Sequence, residues 1–220
     1  HEVAHLYVHY LHTPGSVGRY TGMLRGLPFS FSAHAKDIWT TPAWEKRAKL
    51  GEAQWTVTCT RTNLDHLRGL APDARIELVH HGLDADRFTA PPPRPAGTPT
   101  ILCVARAVEK KGLDTLLEAL ALLPADLDWR FEHIGGGPLK EELHRQSERL
   151  GLAARATWHG AKAQGEVIAA YRRAALFCLP ARIAGDGDRD GLPNVIMEAM
   201  AQELPVVSTA VSAIPEIVVD

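Results

Sequence analysis

The sequence has few cysteines, few aromatic residues and no excess of charge of either sign. Its 220 residues include 3 cysteines, 6% aromatic residues, and 24 Lys plus Arg against 26 Asp plus Glu. A formal net charge of −2 gives no basic surface for nucleic acid or for an anionic membrane. No apolar run approaches the roughly 20 residues that a membrane-spanning helix needs. These absences exclude a membrane span and argue against a nucleic-acid partner.

The cysteines Cys59, Cys103 and Cys178 lie far apart in apolar segments. An odd, scattered set argues against a disulfide framework and against a zinc site, whose ligands usually come in close pairs. We therefore expect buried free thiols in a reducing compartment. The start of the sequence has no secretory signal pattern, which agrees with a cytoplasmic location.

Short apolar runs alternate with amphipathic stretches along most of the chain. This alternation is typical of right-handed βαβ units and predicts an α/β fold with parallel sheets. The predicted strands cover residues 6–10, 29–33, 55–59, 76–80, 101–105, 129–134, 156–159, 176–179 and 206–209. The predicted helices cover residues 14–26, 42–50, 61–70, 112–123, 138–150, 164–173 and 192–201.

A proline-rich stretch interrupts this alternation at residues 89–99, which hold five prolines in eleven positions. Such a segment is typical of a semi-rigid linker. It predicts one domain over 1–88 and a second over 100–220. Two α/β domains joined by a hinge would face a cleft, the usual place for a small-molecule site.

Two loops of the second domain follow strands, where α/β proteins bind ligands. One carries Arg106 and Lys111, which could together hold two phosphate groups or could form an ordinary solvated basic loop. The other is the run Gly135, Gly136, Gly137, followed by Pro138. It either lets the backbone approach a ligand at a helix N-terminus or forms a tight turn with Pro138 at the first helical position.

A third loop is acidic and rich in glycine, and it leads into an apolar helix. Asp190 precedes this helix and Glu198 lies eight residues later, so on a continuous helix the two would be about 80° apart around the axis. The amides of residues 191–194 could donate to a polyhydroxylated ligand while the carboxylates accept from it. Asp190 could instead cap the helix. Glu198 sits in so apolar a helix that we expect it to have a partner.

These motifs follow one another in a fixed order, which resembles the retaining glycosyltransferases of family 4, enzymes of the GT-B fold. The matching segments are Arg106 with Lys111-Gly112, GGGPL at 135–139, DGLPNVIMEAMA at 190–201, LPVV at 204–207 and IPEIV at 214–218. HAKDIW at 34–39 and HHGLDADRF at 80–88 are similar to the strand-end histidine motif and to the exit from the first domain. The resemblance covers most of residues 29–220.

The resemblance implies a role for each matching position. Arg106 and Lys111 would hold the donor diphosphate and stabilise the nucleotide leaving group without a required metal or other cofactor. Glu198 would accept hydroxyl groups of the donor ribose, and Asp190 would contact the transferred sugar. Asp190 stands where the family usually has Glu, so its reach is one methylene shorter. The other residues implied to contact the donor sugar are His34 and the backbone of Gly191, Leu192, Pro193 and Asn194. The Gly135–Gly137 turn would lie along the nucleotide, and Lys162 would lie near the base.

Several of these residues have simpler interpretations. His34 could be a hydrogen-bonded histidine in a strand-to-helix loop. Trp39 and Trp44 could line an acceptor pocket or pack in the core. On a helix, His1, His5, His9 and His12 would form a metal-binding stripe, but the alternation at 6–9 favours a strand, on which they do not share one ligand sphere. We therefore expect no metal site.

The sequence predicts a cytoplasmic retaining hexosyltransferase that moves a sugar from a nucleotide-diphosphate donor to a saccharide or lipid-linked acceptor, in bacterial polysaccharide biosynthesis. The alternatives are a non-catalytic nucleotide-sugar-binding module and a nucleotide-dependent oxidoreductase, although no G-x-G-x-x-G fingerprint is present. Residue 1 is His and the chain begins and ends within its strand–helix pattern. We therefore expect a piece of a longer protein that is truncated at both ends and is inactive, or nearly inactive, on its own. Any peripheral membrane contact at the inner face would be made through the missing N-terminal part.

Overall fold

The computed structural model describes residues 2–84, 86–91, 94 and 96–219. The strands are β1 Leu6–His9, β2 Phe29–Ala33, β3 Thr56–Thr58, β4 Ile76–Leu78, β5 Thr100–Val104, β6 Arg130–Ile134, β7 Ala156–Trp158, β8 Leu176–Leu179 and β9 Val206–Ser208. The helices are α1 Thr13–Arg25, α2 Lys36–Trp39, α3 Ala43–Glu52, α4 Arg61–Leu70, α5 Leu113–Ala121, α6 Lys140–Arg149, α7 Gln164–Arg173 and α8 Asn194–Ala201, with short 3₁₀ turns at Glu109–Lys111 and Ile214–Glu216.

All strand pairs of the described chain are parallel, and they form a four-stranded and a five-stranded sheet. The predicted α/β class is therefore confirmed. Each predicted strand and helix is present, with ends that differ by at most two residues. Helix α2 was not predicted, because four residues are too few to show a helical period.

The contacts between residues divide the chain into two compact units. The first unit contains residues 1–82, 183–192 and 210–220, and the second contains 83–182 and 193–209. The predicted cut at 89–99 instead assigned everything after the linker to one domain. The difference arises because residues 183–192 contact the first unit through Arg189 and Gly191, as described below. Within the predicted linker, Pro92, Pro93 and Pro95 lie outside the described residues.

In the first unit, the sheet has the order β1-β2-β3-β4. β2 is buried along its whole length, with Phe29 and Phe31 on one face and Ser30 and Ser32 on the other. The two phenylalanines pack in an apolar core with Leu11, Ile38, Leu50, Leu64, Leu67 and Ile76. The two serine hydroxyls hydrogen-bond histidine rings, as buried polar groups must find partners.

In the second unit, the sheet has the order β7-β6-β5-β8-β9. The chain leaves β5 for β6 and β7 on one side and then crosses to β8 and β9 on the other. The carboxyl ends of β5 and β8 therefore form a topological switch point, where open α/β sheets bind ligands. Arg106 follows one of these strands and Pro180 follows the other.

Candidate functional site

Loops after three neighbouring strands are hydrogen-bonded side by side at the carboxyl edge of the second sheet. The Ala107 amide donates to the carbonyl of Gly136 at 2.8 Å, and the Gly135 amide donates to the carbonyl of Gly160 at 2.8 Å. The buried ring of His133 lies 3.0 Å from the carbonyl of Ala105 through its Nε2. These bonds hold the backbones that carry Arg106, Gly135–Gly137 and Lys162 in one continuous row.

The loop after β8 joins the loop after β5 at the switch point. The Arg182 amide donates to the carbonyl of Lys110 at 2.9 Å, and the Arg182 guanidinium pairs with Asp114 at 2.7 Å. Gly112 has a φ of +61°, and a Cβ there would lie 2.0 Å from the carbonyl oxygen of Pro180. Only glycine fits this position, because both the left-handed backbone and the close approach exclude a side chain.

The two predicted phosphate-binding cations both lie in the segment that follows β5. Arg106 is exposed, while Lys111 ends the 3₁₀ turn after β5 and is half-buried. Burial and the neighbouring Cys178 raise the pKa of Cys103, and Lys111 partly opposes this shift. The Lys111 cation therefore lies within electrostatic range of Cys103 in β5.

Two of the three consecutive glycines are required by packing against the loop after β5. A Cβ on Gly135 would lie 1.8 Å from the carbonyl oxygen of Ala105, and one on Gly137 would lie 2.5 Å from that of Ala107. Gly136 has open space around it. Helix α6 begins only at Lys140, so the prediction that Pro138 takes the first helical position is wrong. Pro138 lies in a turn before the helix.

Glu198 has the partner that its apolar surroundings led us to expect. The Tyr171 hydroxyl donates to Glu198 Oε2 at 3.0 Å, from α7 to α8. Tyr171 is fully buried, and its pKa is raised by burial and by the Glu198 carboxylate, so the phenol stays protonated and donates. Glu198 itself is half-buried, so its second oxygen can accept from a ligand.

Lys162 lies beside a concavity of about 240 Å³ at the ends of β6 and β7. Its ammonium pairs with Glu166 at 3.0 Å. Nearby, Glu132 accepts from Arg173 at 2.8 Å and lies 3.1 Å from His159. The concavity is lined by Ile134, His159, Lys162, Glu166, Ala169 and Arg173, so it offers donors, acceptors and an apolar floor.

In the first unit, His34 follows β2 and is held from several sides. Its ring lies 3.1 Å from Ser32 Oγ, and its carbonyl accepts from the Asn63 amide group. The buried Asp37 carboxylate accepts from the His34 and Ala35 amides. Burial lowers the pKa of His34, which Asp37 partly opposes, so the ring is neutral at neutral pH. His34 is therefore hydrogen-bonded at a strand end, as the simpler interpretation has it, and the residue is half-buried.

The acidic loop belongs to this unit as far as Leu192. A Cβ on Gly191 would lie 3.2 Å from the His34 carbonyl, and the Gly191 carbonyl accepts from the Ala213 amide at 3.3 Å. Asp190 is half-buried and precedes Gly191 directly.

Helix α8 begins later than predicted, at Asn194, because Pro193 has an extended backbone with a ψ of 115°. No side chain caps this helix, so the interpretation of Asp190 as its cap is wrong. The helical angle between Asp190 and Glu198 does not apply either, since Asp190 lies outside the helix. Pro193, Asn194 and Glu198 belong to the second unit.

The remaining candidates separate into packed and exposed residues. Trp39 donates to Asn63 at 3.1 Å, and the Arg189 guanidinium lies 4.3 Å from the centre of its ring. Packing therefore accounts for Trp39, whereas Trp44 is 68% exposed. His5 and His9 flank or lie within strand β1, and His12 precedes α1, so they form no helical stripe; His1 lies outside the described residues.

Sequence reasoning missed three residues that support these positions. Tyr171 and His133 are buried partners of the candidate segments, and neither has a local motif. Glu216 accepts from the backbone amides of Arg61 and Thr62, both at 2.9 Å, at the N-terminus of α4. Burial would raise the pKa of Glu216, but these hydrogen bonds outweigh that effect and hold the pKa below its ordinary value. Its position within IPEIV gave the one available signal.

None of the helices in the described part of the chain combines the length and apolar character needed to cross a membrane.

Comparison with known proteins identifies the family. WcaL of Escherichia coli (strain K12), a glycosyltransferase assigned to colanic acid biosynthesis, is 38% identical over 149 residues, which are 67% of this chain and 37% of that protein. The GDP-mannose-dependent alpha-(1-6)-phosphatidylinositol monomannoside mannosyltransferase of Mycobacterium tuberculosis H37Rv is 34% identical over 158 residues, 67% of this chain and 41% of that one. The chain therefore spans about two fifths of the length of these curated relatives.

The solved structure of sucrose-phosphate synthase from Thermosynechococcus elongatus superposes with a TM-score of 0.82 at 20% identity, over 98% of this chain and 58% of that one. This likeness confirms the GT-B fold class. The model of the family described as glycosyl transferases group 1 matches residues 84–220. This chain, with Arg106 and Lys111 after β5 and Glu198 on α8, therefore belongs to the glycosyl transferases group 1 family.

Proposed function

We propose that the whole protein is a retaining, family 4-type hexosyltransferase that uses a nucleotide-diphosphate sugar as donor. The observation that carries this proposal is the row of joined loops at the switch point of the second sheet, which bears Arg106, Lys111 and the Gly135–Gly137 turn. Backbone amides and two cations at such an edge are suited to a diphosphate.

In this proposal, Arg106 and Lys111 hold the diphosphate and stabilise the negative charge that develops as the nucleotide leaves. Arg106 offers a fork of N–H donors, and Lys111 acts as a point charge. Because two fixed cations supply this stabilisation, no metal ion or other cofactor is required.

The rest of the donor is held by residues on other loops. Glu198, oriented by Tyr171, accepts from the ribose hydroxyls through its free oxygen. The concavity beside Lys162 takes the base. The resemblance to family 4 further assigns contacts with the transferred sugar to His34, to Asp190 and to the backbone of Gly191, Leu192, Pro193 and Asn194.

The acceptor in this proposal is a saccharide or a lipid-linked saccharide of a bacterial surface polysaccharide. The support is that the relatives are named for colanic acid synthesis and for mannosyl transfer to a phosphatidylinositol mannoside. A cytoplasmic enzyme acting on such an acceptor would work at the inner face of the membrane.

The test is a transfer assay on the whole protein with GDP-mannose, UDP-glucose and ADP-glucose and a lipid-linked saccharide acceptor. We expect transfer from one donor, with the anomeric configuration of the donor kept in the product as read by NMR. Arg106→Ala should abolish transfer, whereas Arg149→Ala, at the far end of α6, should not. Inversion at the anomeric carbon would contradict the retaining class, and absence of transfer together with binding of NAD would contradict the transferase.

A further inference from the structure

Three potential metal ligands meet at one edge of the first sheet. A ring nitrogen of His34, a ring nitrogen of His81 and the Sγ of Cys59 all lie within 4.8 Å of one another. His34 is half-buried, Cys59 is buried and His81 is exposed. The proposed function gives Cys59 and His81 no role, so the grouping calls for a separate explanation.

The order of strands explains why these residues meet. β2, β3 and β4 are neighbours and run in the same direction, so their carboxyl ends lie at the same edge. His34 follows the last residue of β2, Cys59 follows the last residue of β3, and His81 lies three residues after β4. Their separations in sequence are 25 and 22 residues, so the close-pair spacing typical of zinc sites does not reveal them.

Hydrogen bonds hold two members of this group, His34 and Cys59, in place. Ser32 Oγ lies 3.1 Å from His34 Nε2, and the His80 ring lies 3.2 Å from the carbonyl of Cys59. The rings of His34 and His81 are 5.4 Å apart, centre to centre. Hydrogen bonds of this kind, made by a ligand's other ring nitrogen or by its neighbours, are what orient metal ligands in known sites.

We propose that His34, Cys59 and His81 bind a Zn²⁺ ion. One thiolate and two imidazoles form a ligand set that Zn²⁺ favours, whereas Mg²⁺ and Ca²⁺ require oxygen ligands, which this group does not contain. Zn–N bonds of about 2.0–2.1 Å and Zn–S bonds of about 2.3 Å place tetrahedral ligand atoms roughly 3.3–3.7 Å apart. Separations of up to 4.8 Å therefore have to shorten by roughly 1.1–1.5 Å on binding. His81 is the exposed member of the group and has the most room for such a movement.

Binding displaces the thiol proton of Cys59 to solvent and forms one Zn–S and two Zn–N bonds, leaving the fourth position for water. Exposure of His81 provides the entry path for the ion.

One consequence rests on the proposed function: a Zn²⁺ ion on the His34 ring excludes the contact with donor sugar proposed for that ring. The site itself does not depend on that role, and it is distinct from the metal-independent transfer proposed above.

The test measures metal binding directly on the 220-residue chain. Zn²⁺ is titrated in competition with a chromophoric chelator, and Co²⁺ is used as a spectroscopic substitute. We expect one equivalent of metal and a thiolate-to-Co²⁺ charge-transfer band. Cys59→Ser should abolish the band, and both Cys59→Ser and His81→Ala should weaken Zn²⁺ binding by about 100-fold or more, beyond the usual effect of losing an outer partner.

Matched controls are Cys178→Ser, a thiol of the second unit, and His12→Ala, a histidine of the first unit outside the group. Neither should change the band or the affinity. Since Cys59 is buried, circular dichroism checks the fold of its variant, and the exposed His81→Ala decides the question if that variant is unfolded. Absence of a 1:1 complex, absence of the band, or equal losses in the controls would overturn the proposal. The readout here is metal binding and not sugar transfer, so a failure of the proposed function would be detected in the transfer assay and not in this titration.

Discussion

His133 fixes the backbone that carries Arg106. Its ring is 1% exposed, and its Nε2 donates to the carbonyl of Ala105, the residue directly before Arg106. Burial, together with His144 and His159, lowers the pKa of His133 to about 4, against the opposing effect of the hydrogen bond. Between about pH 4 and pH 6.5, the folded chain therefore keeps this ring neutral, whereas an unfolded chain would protonate it.

This difference predicts how stability changes with pH. Between about pH 6.5 and pH 4 the unfolded chain binds a proton at His133 that the folded chain does not, so the free energy of unfolding should fall as pH falls. The full contribution is about 3 kcal/mol and is present above pH 6.5. His133→Gln, which does not titrate, should flatten this part of the pH profile in urea unfolding. An unchanged slope would show that His133 is not the group responsible.

The pair formed by Tyr171 and Glu198 shows what a single sequence can and cannot specify about a site. A carboxylate in an apolar helix predicts a partner, and the structure confirms that a partner exists. Which residue it is depends on where the fold places α7 relative to α8, and no local pattern encodes that placement.

Tyr171→Phe removes the donated hydrogen bond while keeping the buried ring. We expect the free energy of unfolding to fall by about 1–2 kcal/mol, since a bond to a carboxylate is lost and Glu198 can still meet water. Tyr20→Phe, at a position 55% exposed, is the control and should change stability by less than about 0.5 kcal/mol. A loss of unfolding free energy in Tyr171→Phe as small as that in the control, below about 0.5 kcal/mol, would mean that the Tyr171 hydroxyl contributes nothing to stability.

At the scale of elements, the loops after β5 and β6 form one unit through close backbone contact. Gly135 and Gly137 have φ values of +147° and +151°, and the carbonyls of Ala105 and Ala107 leave no room for a Cβ at either position. The sequence predicted a glycine turn here. It could not distinguish glycines needed by a ligand from glycines needed by a neighbouring loop, because that neighbour is 30 residues away in the chain.

Alanine substitutions separate these three positions. Gly135→Ala and Gly137→Ala should each lower the free energy of unfolding by more than about 2 kcal/mol, through backbone strain and the clash with the carbonyl. Gly136→Ala, which meets no atom within 4 Å, should stay within about 1 kcal/mol of the unsubstituted protein. Denaturant midpoints at constant m-value measure these differences. Similar losses at all three positions would contradict the packing account.

At the scale of the whole molecule, the alternation of strands and helices was sufficient to predict the α/β class and the order of elements. Local periodicity is strong in segments such as α5, where leucines share one face. It carries no information about long-range contacts. For this reason the grouping of residues 183–192 with the first unit, through contacts such as Arg189 on Trp39, appeared only in the structure.

The same limit applies to the candidate site and to the metal ligands. Arg106, Lys111 and Glu198 were found because their motifs resemble a known family, and their roles in donor binding stay predictions. His34 and His81 lie in two separate motifs and Cys59 lies in neither, so no single motif groups the three residues that three strand ends bring together.

The most direct test of the central claim is calorimetric titration of GDP, UDP and ADP into the chain. The account predicts saturable 1:1 binding of one of the three nucleotides. Arg106→Ala should weaken this binding by at least about tenfold, through loss of roughly 1.5–3 kcal/mol from a charge-assisted contact. Arg149→Ala should leave it unchanged. Equal affinity in the protein and in Arg106→Ala, or no binding of any of the three nucleotides, would contradict the assignment of the second sheet's switch point as a donor site.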